Sequence, residues 1–349
     1  MRSLWLAIAL GTGIWLVESG TAGALAPAEP KKAEPEKAQP EKAEPAGALR
    51  LDKMPMPTMG GKQFWADEFY FHKWRIQRNV FTGHYRLLDE SNWRHAWGTL
   101  AECRSALEKI KLQRKLPPMS GKAVLLLHGL ADVSSVMEPL ARRLEEQGGY
   151  RAFRVVYPST RESIADHARS LARIVESLEG IRQIDLVGFS MGNIVIRRYL
   201  ADQTDPARGR RPDPRLKRMV MIGPPNHGSE LAADLAGNPI FQAVAGEPGQ
   251  SLGANWVWEE RGLAVPQFEF GILAGGQGNQ AGLNPLLPGD DDGVVTVAGT
   301  RLAGAADFLV LPGLHPMLPR QSKVQECTLR FLKHGYFLSP ERRQPILAE

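Results

Sequence analysis

From Lys122 onward, short apolar runs alternate with segments whose apolar residues recur at spacings of three and four. Ala123 to Leu127 is apolar at every position, the mark of a strand buried on both faces. Ala152–Val156, Ile184–Gly188, Arg218–Ile222, Phe268–Leu273 and Phe308–Leu311 read as further strands. Between and after them, Ser134–Gln147, Ser163–Leu178, Asn193–Ala201 and Lys323–Lys333 read as helices; Ile164, Ala168, Leu171 and Ile174, for example, share one face. Repeated strand–helix–strand units build an α/β domain: a mostly parallel, twisted sheet with helices on both faces.

One junction in this series carries chemistry. Ile184-Asp185-Leu186-Val187 runs directly into Gly188-Phe189-Ser190-Met191-Gly192, and a helix follows at once. On a strand-to-helix turn, G-x-S-x-G holds its Ser in a strained conformation. The flanking glycines relieve crowding, and the hydroxyl stands at the C-terminal edge of the sheet beside a helix N-terminus. A Ser nucleophile needs a base, and the base needs an orienting carboxylate. In this architecture the chain order is Ser, acid, His.

Of eight His, only His227, His315 and His334 follow Ser190. His315 comes four residues after the strand ending at Leu311, which is the right type of position. His227 precedes any plausible acid and is expected on the rim of the site. His334 suits a helix C-terminus. For the acid, Asp290-Asp291-Asp292-Gly293 lies between the last two strands, and Asp292 is favoured because Gly293 permits a tight turn. A Ca²⁺ loop is the other use of such a run, but its regular oxygen spacing is missing. Asp185 precedes the Ser and is expected to be structural. The Met191 N–H, directly after the Ser, is one expected oxyanion donor. The Leu130 N–H, in the loop His128-Gly129-Leu130 after the first strand, is the other. His128 itself is either an alternative base or, as its position upstream of the Ser favours, a residue that orders this loop.

Leu127-His128-Gly129, the Gly188–Gly192 run, Pro224-Pro225-Asn226-His227-Gly228-Ser229, Asp292-Gly293-Val294-Val295 and His315 together resemble the bacterial lipase/esterase branch of the α/β-hydrolases. Members similar to eukaryotic GPI-inositol deacylases are the nearest subgroup. The resemblance covers roughly Lys122 to Phe337. It implies an α/β-hydrolase fold, a triad of Ser190, Asp292 and His315, oxyanion donors at Leu130 and Met191, a small ester or lipid substrate, and no cofactor or metal. The chain departs from its relatives at Pro316, where they often carry a small hydroxylated residue.

Ahead of the series the composition changes. Arg2, the 14-residue apolar run Leu4–Val17 and the small residues Ala24-Leu25-Ala26 have the layout of a secretory signal over residues 1–26. The run falls short of the ~20 residues that span a membrane. Export and cleavage, to a secreted or periplasmic location, are therefore expected, with an uncleaved N-terminal anchor as the alternative. Residues 27–47 place Pro30, Pro35, Pro40 and Pro45 at intervals of five and read as an extended spacer. Residues 48–117 hold Trp65, Trp74, Trp93 and Trp97. Trp97, Leu100, Ala101, Leu107 and Ile110 have helical spacing, so this stretch reads as an aromatic-rich amphipathic extension packed on the main domain, residues 118–349. A face for a membrane or a partner is the alternative. Within the main domain, residues 229–267 form either a lid over a greasy substrate or a fixed excursion.

Cys103 and Cys327 either pair or lie apart as buried thiols. The net charge of +5 is mild. Its one local concentration, Arg208, Arg210, Arg211, Arg215, Lys217 and Arg218, reads as a solvated loop, or else as a patch for anionic lipid or substrate. No continuous basic stripe supports nucleic-acid binding. Two rivals to an esterase remain: an acyltransferase or phospholipase at an envelope membrane, and an inert hydrolase fold used for binding. The set Ser190, Asp292 and His315 argues against the last.

Overall fold

The computed structural model describes residues 56–57, 62–204, 211–279 and 281–347. The segments read as a signal and a Pro-rich spacer, and Arg208 and Arg210 of the basic cluster, lie outside the described residues.

The aromatic-rich extension is an antiparallel sheet with one helix. Strands β1 (Met56–Pro57), β2 (Trp65–Phe71), β3 (Trp74–Asn79), β4 (Tyr85–Leu88) and β5 (Trp93–Gly98) pair in the order β1-β5-β4-β3-β2. Helix α1 (Leu100–Gln113) follows. Trp97 belongs to β5, so the helical spacing read from Trp97 began too early. The start is set by Thr99, whose side chain accepts from the Glu102 N–H while Glu102 reaches back to the Thr99 N–H, a capping box. Ile76, Leu87, Cys103 and Leu107 are fully buried in this unit. Phe64, Phe81, Trp93 and Trp97 remain exposed.

The main domain is a six-stranded, all-parallel sheet. Strands β6 (Lys122–Leu127), β7 (Arg151–Val155), β8 (Gln183–Phe189), β9 (Leu216–Ile222), β10 (Glu269–Gly276) and β11 (Asp307–Pro312) lie in the order β11-β10-β9-β8-β6-β7. The period of two along each strand divides the core. Val124, Leu126, Val187, Phe189, Val220 and Ile222 face one side, where α2 (Glu138–Gly148) brings Leu140 and Leu144. Ala123, Leu125, Leu127, Leu186, Met219 and Met221 face the other. There α3 (Ile164–Ser177) brings Ala168 and Leu171, and α4 (Met191–Gln203) brings Ile194 and Val195. Short helices α5 (Glu230–Leu235), α6 (Pro239–Leu252, broken at Gly246) and α7 (Trp256–Glu260) fill the excursion between β9 and β10. Helix α8 (Ser322–His334) closes the first face with Val324, Phe331 and Leu332.

The extension shares the core of the α3 side, where Tyr70, Phe71 and Trp74 pack. Its buried Glu68 holds Arg173 of α3 at 2.6 Å. Cys103 and Cys327 are both buried and unpaired, and they sit in core clusters on opposite sides of the parallel sheet. Burial pushes the Cys103 thiol up to about 12, and buried thiols of this kind are unreactive. Titration of the folded protein with a disulfide reagent should find no fast-reacting thiol, and two after denaturation. A fast thiol in the folded state would contradict the burial. In the basic cluster, Arg215 caps the end of α3 by donating to the Val175 and Leu178 carbonyls, and Arg218 pairs with Glu269 at 2.6 Å. These two cations are spent on the fold.

Candidate active site

The register places the strand ends together. Leu127 lies opposite Gly188 and Val155, and Phe189 opposite Ile222. The residues that follow β6, β7 and β8 therefore share one edge of the sheet. In open α/β sheets, ligands bind at the carboxyl ends of the strands.

Ser190 sits between β8 and α4 with φ 52° and ψ −126°, one of a few non-glycine residues at positive φ. The turn is tight enough to require its glycines. A Cβ on Gly188 would come within 2.3 Å of Asn193 Oδ1, and one on Gly192 within 2.6 Å of the Leu127 carbonyl oxygen. Asn193 secures the turn by donating its side-chain amide to the Ser190 carbonyl at 3.0 Å and the Ile222 carbonyl at 3.3 Å. Such strain persists only where the surroundings over-determine it.

His315 opens a short 3₁₀ segment, His315–Arg320, after β11. Pro316 occupies an early position of that turn, where a missing N–H is tolerated. His315 Nε2 lies 2.9 Å from Ser190 Oγ, and its Nδ1 lies 2.6 Å from Asp292 Oδ2. The backbone holds the same pair, because the His315 N–H donates to the Asp292 carbonyl at 2.9 Å. The Phe189 ring packs on the imidazole at 5.0 Å. Ser190 is half-buried, and His315 and Asp292 are buried. Since a carboxylate only accepts, Nδ1 carries the proton and Nε2 is left to accept from the Ser190 hydroxyl. The arrangement can take a proton from Ser190 and hold the resulting imidazolium against a carboxylate.

The three consecutive Asp have separate tasks. Asp290 accepts from the Gln277 and Gly278 N–H groups. Asp291 accepts from Leu283, Asn284 and Gly293. Asp292 accepts from Val294 and Val295 through Oδ1, leaving Oδ2 for His315. Among the described residues there is no group of three or more His, Cys, Asp or Glu placed to hold a metal ion.

Other sequence candidates lie elsewhere. Asp185 is fully buried within β8, bound by the Tyr150 hydroxyl at 2.7 Å and the Arg218 N–H at 3.0 Å. His334 lies at the end of α8 and stacks on Tyr336. His227 is exposed, 3.8 Å from Glu260, and lines a cavity of about 260 Å³ with Ser229, Leu287, Val294 and Val295. That cavity shares a loop with Asp292, whose Oδ1 accepts from the Val294 and Val295 amides. Leu314 and Met317, on either side of His315 in the chain, expose apolar side chains.

Met191 opens α4, so its N–H is among the helix-start amides with no acceptor inside the helix. Leu130 follows Gly129, where an added Cβ would come within 3.1 Å of Ser190 Cβ, so the loop lies directly against the Ser. His128 does not approach Ser190 through any hydrogen bond. Its Nδ1 binds the Gly129 carbonyl at 2.9 Å and its ring stacks on Tyr157 at 4.2 Å. Two residues here were not singled out from sequence. Tyr157 donates its hydroxyl to the His128 carbonyl. The Asp132 carboxyl is pushed up by burial, against the Val133 N–H that it accepts and the charge of Arg320. Tyr157 carried only a faint signal, lying two residues past the end of β7.

Burial also lowers His128 to about 4 and His167, whose ring lies 4.8 Å from that of Tyr157, to about 3. The unfolded chain protonates these groups from about pH 6.5. The unfolded state thus binds more protons below that pH, and stability falls as pH falls from about 6.5 toward 3. Neither ring nitrogen of His167 has a hydrogen-bond partner among the described residues. Melting temperatures measured from neutral pH downward should drop less steeply for His167→Phe than for the native chain. Parallel profiles would contradict this.

A family model described as the alpha/beta hydrolase family matches residues 124–338. No curated protein matches the chain. Among solved structures, the chain is similar to the lipase BlEst2 of Bacillus licheniformis in its mature form, at 22% identity. That likeness covers 62% of this chain and 94% of the lipase, with a TM-score of 0.44. It is similar to the phospholipase PlaB of Legionella pneumophila in complex with thio-NAD at 18% identity, covering 61% of this chain and 56% of that one, with a TM-score of 0.44. It is similar to the carboxylesterase CesB of Bacillus subtilis at 18% identity, covering 62% of this chain and 85% of that one, with a TM-score of 0.38.

Proposed function

This chain belongs to the alpha/beta hydrolase family, and we propose that it is an exported serine hydrolase that cleaves carboxylic esters through an acyl-enzyme on Ser190. The observation that carries the reading is the hydrogen-bonded line Asp292–His315–Ser190, with links of 2.6 and 2.9 Å, ending on a Ser held at positive φ. Ser190 Oγ attacks the ester carbonyl while His315 Nε2 takes its proton. Asp292 keeps Nδ1 protonated and steadies the imidazolium. The Leu130 and Met191 N–H groups receive the oxyanion, a contribution of ~3 kcal/mol for each such donor. His315 then returns the proton to the leaving alcohol oxygen. Water, deprotonated by the same nitrogen, attacks the acyl-enzyme and releases the acid with Ser190 restored.

Exposed Leu314 and Met317 beside His315 favour an apolar acyl chain. The apolar run Leu4–Val17 supports export. A panel of p-nitrophenyl esters from short to long acyl chains, with and without detergent micelles, tests the proposal. The expected result is turnover with a burst of p-nitrophenolate, strongest for the chain length that fits the site. Absence of turnover on every ester by folded protein would overturn it. Added alcohol that diverts most of the acyl group into a new ester would replace hydrolysis by acyl transfer.

A further inference from the structure

The loop that presents Leu130 is held from outside the main domain. It contains Ala131 at φ 54°, a strained conformation for a residue with a side chain. Two sets of contacts restrain it. In the first, Gln63, just ahead of β2, donates its side-chain amide to the Asp132 carbonyl at 3.1 Å. The Gln63 side-chain oxygen accepts from the Thr160 hydroxyl at 3.4 Å. In the second, fully buried Asp67 of β2 grips the chain just past β7. Its N–H donates to the Val156 carbonyl at 2.8 Å, and its Oδ2 accepts from the Val156 N–H at 2.7 Å. Tyr70 donates its hydroxyl to the same Asp67 Oδ2, with the Arg154 carbonyl as a longer second acceptor at 3.1 Å. The residue after Val156 is Tyr157, whose hydroxyl donates to the His128 carbonyl. The His128 ring stacks on Tyr157 and binds the Gly129 carbonyl.

We propose that the N-terminal sheet is a positioning element for the oxyanion loop: Gln63 and the Asp67–Val156–Tyr157 relay fix the His128–Asp132 backbone so that the Leu130 N–H points at the reacting carbonyl. The inference rests on the Ser190 reading above and assigns the extension a task within it. Gln63, Asp67 and Tyr157 are positioning residues, since they act through the loop. The relay suits its purpose physically. Tyr157 is buried, which holds its hydroxyl well above its ordinary range, so it stays a donor to a carbonyl that can only accept. The two supports enter the loop at its two ends, His128 and Asp132, with the Leu130 amide between them.

The test uses the full chain with Tyr157→Phe and, because Gln63 is only partly buried, Gln63→Ala as a milder change. Amide hydrogen exchange over residues 128–132 and steady-state ester hydrolysis are both measured, with Ser190→Ala as control. The expected result is faster exchange at 128–132 in both variants. Tyr157→Phe should lower kcat by about 10- to 100-fold with KM little changed, because a misaimed donor weakens only the transition state. Gln63→Ala should lower kcat in the same way by a smaller factor. A side chain that merely packed would lower the melting temperature and leave kcat per folded molecule unchanged. Unchanged exchange in either variant, or faster exchange with unchanged kcat, would overturn the proposal. If Ser190→Ala retained the turnover of the native chain, the Ser190 reading would fail instead, and exchange would still decide whether the extension holds the loop.

Discussion

Replacing Ser190 by alanine should lower kcat for ester hydrolysis by about 10⁶-fold, with KM close to that of the native chain. The size follows from what the change removes. In the proposed mechanism the hydroxyl oxygen forms the acyl bond, and His315 Nε2, 2.9 Å away, loses the proton it is placed to take. Alanine keeps the Cβ that packs near Gly129. The Leu130 and Met191 amides should still bind an ester carbonyl, so affinity survives while the covalent route is lost. Relieving a hydroxyl at a strained turn also leaves the fold intact, and the melting temperature should not fall. Steady-state kinetics with a p-nitrophenyl ester checks both halves. A rise in KM with kcat retained would mean that Ser190 only binds.

Asp292→Asn is the second large effect, a fall in kcat of about 10⁴-fold. Asp292 Oδ2 accepts from His315 Nδ1 at 2.6 Å, while Oδ1 accepts from the Val294 and Val295 amides. Asparagine can satisfy those two amides only by turning its NH₂ toward His315. The imidazole must then accept at Nδ1 and carry its proton on Nε2, where it no longer receives the proton of Ser190. Geometry is kept and the tautomer is wrong. Asp291→Asn should behave differently, since Asp291 binds the Leu283, Asn284 and Gly293 amides and makes no contact with His315. It should cost stability more than turnover. Equal losses of kcat in the two variants would contradict the division of labour among these carboxylates.

The parallel sheet was readable because strands buried on both faces leave unbroken apolar runs, and Ala123–Leu127 fell on β6 almost residue for residue. The extension was harder. Its strands bury Asp67, Gln77 and Arg86 in mutual contacts and Glu68 against Arg78, so no clean alternation of apolar and polar residues survives. Trp97 fitted a helical spacing by chance, whereas the capping pair Thr99 and Glu102 marked the true start of α1. At the site, Ser190, Asp292 and His315 could be singled out from residue type, chain order and position after strands. Gln63, Asn193 and Tyr157 could not, because they act through backbone carbonyls, and a carbonyl leaves no trace in residue identity.

The central claim is that Ser190 is the nucleophile activated by His315. Its most direct measurement is the intact mass and peptide map of the folded full chain after reaction with a fluorophosphonate. The account predicts one adduct per chain, mapped to Ser190, absent in Ser190→Ala and slowed greatly in His315→Ala. An unlabelled chain that is demonstrably folded, or an adduct on any other residue, would contradict it.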